Sequence, residues 1–177
     1  MLSTLHHTAA DALSPTLVIA HGLYGSGRNW GVIARRLADR RHVVTVDMRN
    51  HGDSPRAATQ SYPDMAGDLA EVIETLGPPV DLLGHSMGGK AAMQLALTRP
   101  DLIRRLVVAD IAPVAYAHDQ TRHVDSMASL DLATIVTRAD ADAALARAGV
   151  EDAALRAFFL QSLDLRSTPP RWKLNLP

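Results

Sequence analysis

The chain has 177 residues, 47% of them hydrophobic and 21% charged, with a formal net charge of −1. That length suits one domain with a sizeable core, and a near-neutral balance without a long basic run argues against a nucleic-acid partner. It contains no cysteine, which excludes disulfides, thiolate catalysis and cysteine-ligated zinc. No apolar run is long enough to span a bilayer. The N-terminus lacks a basic region followed by an apolar core, so no membrane association is expected and the cytoplasm is the expected compartment.

Residues 1–16 are weakly patterned and leave room for one short edge strand. His6-His7 has no partner histidine at helical spacing and reads as a solvated pair. Thr16-Leu17-Val18-Ile19-Ala20 is a continuous apolar run of the kind found in buried parallel strands. It ends at His21-Gly22-Leu23-Tyr24-Gly25-Ser26-Gly27, a flexible loop whose glycines let backbone approach a ligand. The Leu23 N–H is a candidate oxyanion donor, and His21 reads as a brace for the loop. An amphipathic stretch follows from Trp30 to Leu37.

His42 to Val46 is a β-branched strand ending at Asp47, and Arg49-Asn50-His51-Gly52-Asp53-Ser54-Pro55 is turn chemistry whose charges brace one another. Tyr62 to Leu76 has helical periodicity, with Pro63 in its first turn and Gly77-Pro78-Pro79 behind it. The chemistry is concentrated next, in Leu82-Leu83-Gly84-His85-Ser86-Met87-Gly88-Gly89-Lys90. This is G-x-S-x-G between an apolar run and a segment of helix formers, the context in which a serine sits on a strained strand-to-helix turn. Such a turn requires Gly84 and Gly88 to lack a Cβ, and it leaves the Met87 N–H at a helix start, able to bind a developing oxyanion. The bland alternative is a glycine-rich turn with Ser86 as an N-cap. A phosphate-loop reading of Gly84 to Lys90 fails because Ala91 lacks the hydroxyl that holds Mg²⁺.

Arg105 to Pro113 reads as another buried strand, with Asp110 at its carboxyl end. Residues 115–165 lose strand character and gain alanine and acidic residues, like a helical insertion over the strand ends. Within it Phe158, Phe159 and Leu160 form a concentrated apolar patch.

Four motifs carry a resemblance: His21-Gly22-Leu23-Tyr24-Gly25-Ser26, Asp47-x-Arg49-Asn50-His51-Gly52-x-Ser54-Pro55, Gly84 to Lys90, and Asp110-Ile111-Ala112-Pro113. Together they resemble the small bacterial YbfF-type serine esterases of the α/β-hydrolase superfamily, over residues 16–177. The resemblance implies a parallel sheet with flanking helices, a nucleophile elbow and a helical lid. It implies hydrolysis of a small-molecule acyl ester or thioester through an acyl-enzyme, with no cofactor and no metal. Ser86 would be the nucleophile, Asp110 the acid, and the N–H groups of Leu23 and Met87 the oxyanion hole. His21, Gly22, Gly84, His85 and Gly88 would support the elbow and its facing loop.

A serine hydroxyl needs an imidazole to take its proton, and chain order in this fold is Ser, Asp, His. Behind Asp110 stand only His118 and His123, whereas the family's base lies on a loop past the lid. The expectation is therefore a core over 1–114, a lid over 115–168 and the start of a further core segment over 169–177. On this reading the catalytic histidine lies beyond Pro177, activity is weak, and the strand before Asp110 is an unpaired edge. Two alternatives remain open: a non-catalytic hydrolase-like binder, and a cofactor-free peracid-forming oxidase of the same fold.

Overall fold

Apolar, β-branched runs make the centre of the sheet. In the computed structural model, which describes residues 1–8, 14–116 and 120–176, β2 (Ser14–Ala20), β3 (Arg41–Val46), β4 (Val80–His85) and β5 (Ile103–Ala109) are parallel. A short β1 (Thr4–His7) pairs antiparallel with β3, and the strand order is β1-β3-β2-β4-β5. Val18, Ile19, Val43, Val44 and Leu82 are fully buried, as expected of strands covered on both faces.

One face of the sheet packs against α2 (Tyr62–Thr75) and α3 (Met87–Thr98), building the larger core around Val18, Val44, Leu69, Ile73, Leu82 and Leu95. α2 has the expected start: the Ser61 hydroxyl accepts from the Asp64 N–H, and Pro63 lies in the first turn. The other face carries α1 (Gly31–Leu37) and a smaller cluster of Leu17, Ile19, Ala34 and Val43. The stretch from Trp30 is helical as expected, but Val32, Ile33 and Leu37 are exposed. The inward stripe is instead Trp30, Ala34 and Ala38, one residue per turn, whose two alanines let the backbone approach the sheet closely.

β5 is an edge strand rather than a buried one, and Val107 is 52% exposed on it. Its first turn of sequence is tied inward by charge. Asp81 on β4 is buried and receives Arg41 Nη2 at 2.7 Å and Arg104 Nη2 at 2.6 Å. Burial opposes the charged carboxylate, but the hydrogen bonds from Arg104 and Arg41 outweigh it and hold the Asp81 carboxyl below its usual range. A carboxyl lowered by folding stabilises the folded state above its unfolded pKa of 3.8 and stops doing so as pH falls through its lower folded value. Asp81→Asn is thus expected to cost about 2 kcal/mol near neutral pH, with parent and variant converging in acid. Urea unfolding at about pH 7 and about pH 3 measures this.

Residues Val114–Pro177 form a second compact unit after Met1–Pro113. It contains α4 (Thr121–Ala128), α5 (Arg138–Arg147), α6 (Ala153–Phe159) and a two-stranded ladder of β6 (Leu163–Asp164) with β7 (Arg171–Trp172). Thr137 and Asp152 cap α5 and α6 through their side chains. Phe159 and Leu160 are buried here with Met127 and Leu145. The apolar run read as a patch is therefore largely the core of this unit. Trp172 is buried as well, and its indole N–H donates to the Met127 carbonyl at 3.1 Å. No described helix is long and apolar enough to cross a membrane.

Candidate active site

The chain leaves β2 for β3 on one side of the sheet and then returns to place β4 on the other. Adjacent crossovers that part in this way open a crevice at the carboxyl ends of β2 and β4. The two glycine-rich stretches of the sequence, 21–27 and 84–89, start at those ends.

Ser86 sits between β4 and α3 at φ 50° and ψ −115°, a left-handed backbone that costs a non-glycine residue on the order of 1–3 kcal/mol. Its N–H donates to the Ala109 carbonyl at 3.0 Å, which ties the turn to β5. The Ser86 side chain makes no capping bond to α3. The N-cap alternative is therefore set aside, and the hydroxyl is left for other work. The expected need for glycine on both sides is met. A Cβ on Gly84 would lie 2.4 Å from the Gly88 carbonyl oxygen, and one on Gly88 would lie 2.5 Å from that of Ala20.

The facing loop is held against this elbow. A Cβ on Gly22 would meet His85 Nδ1 at 2.8 Å and Ser86 Cβ at 3.2 Å. His21 is tied at both ring nitrogens: its Nδ1–H donates to the Gly22 carbonyl at 2.7 Å, and its Nε2 accepts from the Met48 N–H at 2.9 Å. Burial, followed by the proximity of His51, pushes its pKa down to about 3, so the ring is neutral with both nitrogens engaged. His51 is held likewise, donating from Nδ1 to the Arg49 carbonyl and accepting the Tyr24 N–H on Nε2. Burial lowers its pKa too. Tyr24 is itself left-handed at φ 63°, so His51 fixes the strained residue beside Leu23. The N–H groups of Leu23 and Met87 have no backbone acceptor among the described residues.

Several supports were not legible as such. The Asp47 carboxylate accepts the Gly27 N–H at 2.7 Å and the Asp53 N–H at 2.8 Å, joining the two loops that follow β2 and β3. Gly52 makes room for it at φ 57°. Arg49 reaches α2, bonding both oxygens of Asp68, so this loop is braced on a helix more than on its own charges. Gln60 links Asn50 to the Met87 sulfur. A charged residue at a strand end was the available signal for Asp47; one of its donors, Gly27, lies 20 residues away.

Asp110 follows β5 in a left-handed conformation, φ 56°, with its side chain 88% exposed. The Nε2 of His85 lies 3.7 Å from its Oδ2. That distance is too long for a direct hydrogen bond, so the carboxylate retains its accepting capacity. His85 is itself set edge-on to Trp30. Ser86, Gly22, His85 and Asp110 are thus neighbours, linked through the His85 ring. His123 packs against Phe159 in the second unit, and His118 lies outside the described residues. Among the described residues no group of three or more metal-ligating side chains occurs.

The model of the α/β-hydrolase fold family matches residues 15–177. The chain belongs to that family. Relatives of this α/β-hydrolase chain include the sn-1-specific diacylglycerol lipase ABHD11 of Mus musculus, 41% identical over 94% of the chain and 57% of the lipase. Another is the esterase YbfF of Escherichia coli strain K12, 38% identical over 91% of the chain and 62% of the esterase. A marine microorganism esterase superposes at a TM-score of 0.90 with 37% identity, over 99% of the chain and 69% of that structure. The α/β-hydrolase chain thus spans little more than half the length of the mouse lipase.

Proposed function

We propose that this chain is a serine carboxylic-ester hydrolase acting through an acyl-enzyme on Ser86, with a small-molecule acyl ester or thioester as substrate. The observation that carries the reading is Ser86 itself: a strained left-handed residue whose hydroxyl is not spent on capping the helix it begins. Strain of this kind, kept in place by glycines that admit no Cβ, is characteristic of a positioned nucleophile. The esterase and lipase relatives support the reaction class.

Ser86 Oγ attacks the ester carbonyl carbon, forming a C–O bond while the carbonyl oxygen takes the electron pair. The N–H groups of Leu23 and Met87 donate to that oxygen. The serine proton passes to an imidazole and then to the departing alcohol or thiol as its bond to the carbonyl carbon breaks. Water reverses the sequence, releasing the acid. Asp110, exposed and unsatisfied by His85, is the acid that orients the imidazole. The imidazole is neither His21 nor His51, since each has both ring nitrogens committed to backbone. Even without a base, oriented backbone donors give residual catalysis of about 10³–10⁴ over water, so acylation is expected at one place, Ser86.

A fluorophosphonate tests the assignment. Attack by Ser86 forms a P–O bond and expels fluoride. Intact mass and peptide mapping are expected to show one adduct, on the peptide containing Ser86, and none on Ser86→Ala. An unmodified chain after prolonged incubation, or an adduct that survives Ser86→Ala, would overturn the assignment.

A further inference from the structure

The histidines at the start of the chain are not a simple solvated pair. In the antiparallel register of β1 and β3, His6 lies opposite Val44. His42 comes two residues earlier on β3, so it is the diagonal neighbour of His6 on the same face of the sheet. His6 Nδ1 and His42 Nε2 face each other at 3.1 Å, with ring centroids 5.1 Å apart and ring planes at 40°. His6 Nε2 lies 3.1 Å from the Thr4 hydroxyl. His6 is exposed and His42 half-buried. This is a strand edge separated from β4 by β3 and β2, and the hydrolase chemistry does not use it.

Two imidazole nitrogens bound to one metal at about 2.0–2.1 Å stand roughly 2.9 Å apart at a right angle and roughly 3.4 Å apart at the tetrahedral angle. The observed separation falls between these, so small turns of the two rings suffice to converge their lone pairs. We propose that His6 and His42 form a cross-strand two-imidazole site for a divalent transition metal of the Cu²⁺, Ni²⁺ and Zn²⁺ group. These are the ions that imidazole suits, with Cu²⁺ bound most tightly.

The tautomers balance. His6 keeps its proton on Nε2 and donates it to the Thr4 hydroxyl, the kind of outer bond that fixes a ligand ring. Without metal, one of the two facing nitrogens donates to the other across 3.1 Å; a bound metal takes the place of that proton, with His42 protonated on Nδ1 and both facing nitrogens presenting lone pairs. Since no third ligating side chain joins the pair among the described residues, the remaining positions are left to water or an outside ligand. The site is open and exchangeable rather than a closed structural one.

The test is Cu²⁺ titration of the untagged full chain by calorimetry, with electron paramagnetic resonance of the bound ion. The expected result is one saturable equivalent whose spectrum carries two nitrogen donors. His6→Ala, a change at an exposed position, is expected to weaken binding about tenfold or more and leave one nitrogen donor; His42→Ala should do the same. Absence of saturable binding, or binding and spectrum unchanged in a folded His6→Ala chain, would overturn the proposal.

Discussion

Gly88→Ala is expected to be strongly destabilising, although it adds a single methyl to the elbow. The new Cβ would sit 2.5 Å from the Ala20 carbonyl oxygen and 2.6 Å from that of His21. Both are backbone atoms at the end of β2, which is paired on both sides and buried from Leu17 onward. Neither can turn aside as a flexible side chain would. Relief requires moving α3 off the sheet or distorting the turn that holds Ser86, and overpacking against fixed backbone costs about 3 kcal/mol or more. Gly67→Ala provides the contrast, since nothing lies within 4 Å of a Cβ there and it sits inside α2. That change is expected to add about 0.5–1 kcal/mol of stability. Urea unfolding midpoints should therefore move in opposite directions for the same added atom. A Gly88→Ala chain as stable as the parent would mean that the close approach of α3 to β2 is wrong.

Most of the sheet was legible because two-sided burial writes itself into sequence. The continuous apolar run at 16–20, the β-branched run at 42–46 and the run at 80–83, apolar but for Asp81, are what strands with two covered faces need, and each is a strand. α2 was legible for the complementary reason: one covered face gives helical periodicity, and Ser61 and Pro63 mark its start. α1 shows the limit. Val32, Ile33 and Leu37 also recur at helical spacing, yet the sheet selects Trp30, Ala34 and Ala38. Two stripes on one short helix are both plausible until the neighbouring surface is known.

The elbow was legible because steric demands fall on adjacent residues. Gly84, Ser86 and Gly88 impose their requirements on one another locally. Asp47 and the His6–His42 pair were not, because their partners lie far along the chain: 20 residues from Asp47 to Gly27 and 36 from His6 to His42. Only pairing of β1 with β3 makes those two rings neighbours. Phe159 and Leu160 illustrate a different failure. Adjacent large apolar residues signal burial somewhere, and here they serve the second unit's own core.

Ester turnover carries the second large effect. Ser86 is the sole covalent participant in the proposed reaction, so Ser86→Ala removes the acyl-enzyme route altogether; losing a serine nucleophile from a complete triad costs on the order of 10⁶ in kcat. Among the described residues His21 and His51 are committed to backbone, so neither takes the serine proton in the proposed reaction. An imidazole supplied from solution should then stand in for the base beside Asp110.

The decisive measurement is hydrolysis of p-nitrophenyl butyrate by the parent and by Ser86→Ala across a series of imidazole concentrations. Imidazole alone cleaves the ester, so the quantity read is the difference between the two proteins. The parent rate is expected to exceed that of Ser86→Ala, with a gap that widens as imidazole rises. Identical rates for the two proteins at every imidazole concentration would contradict it.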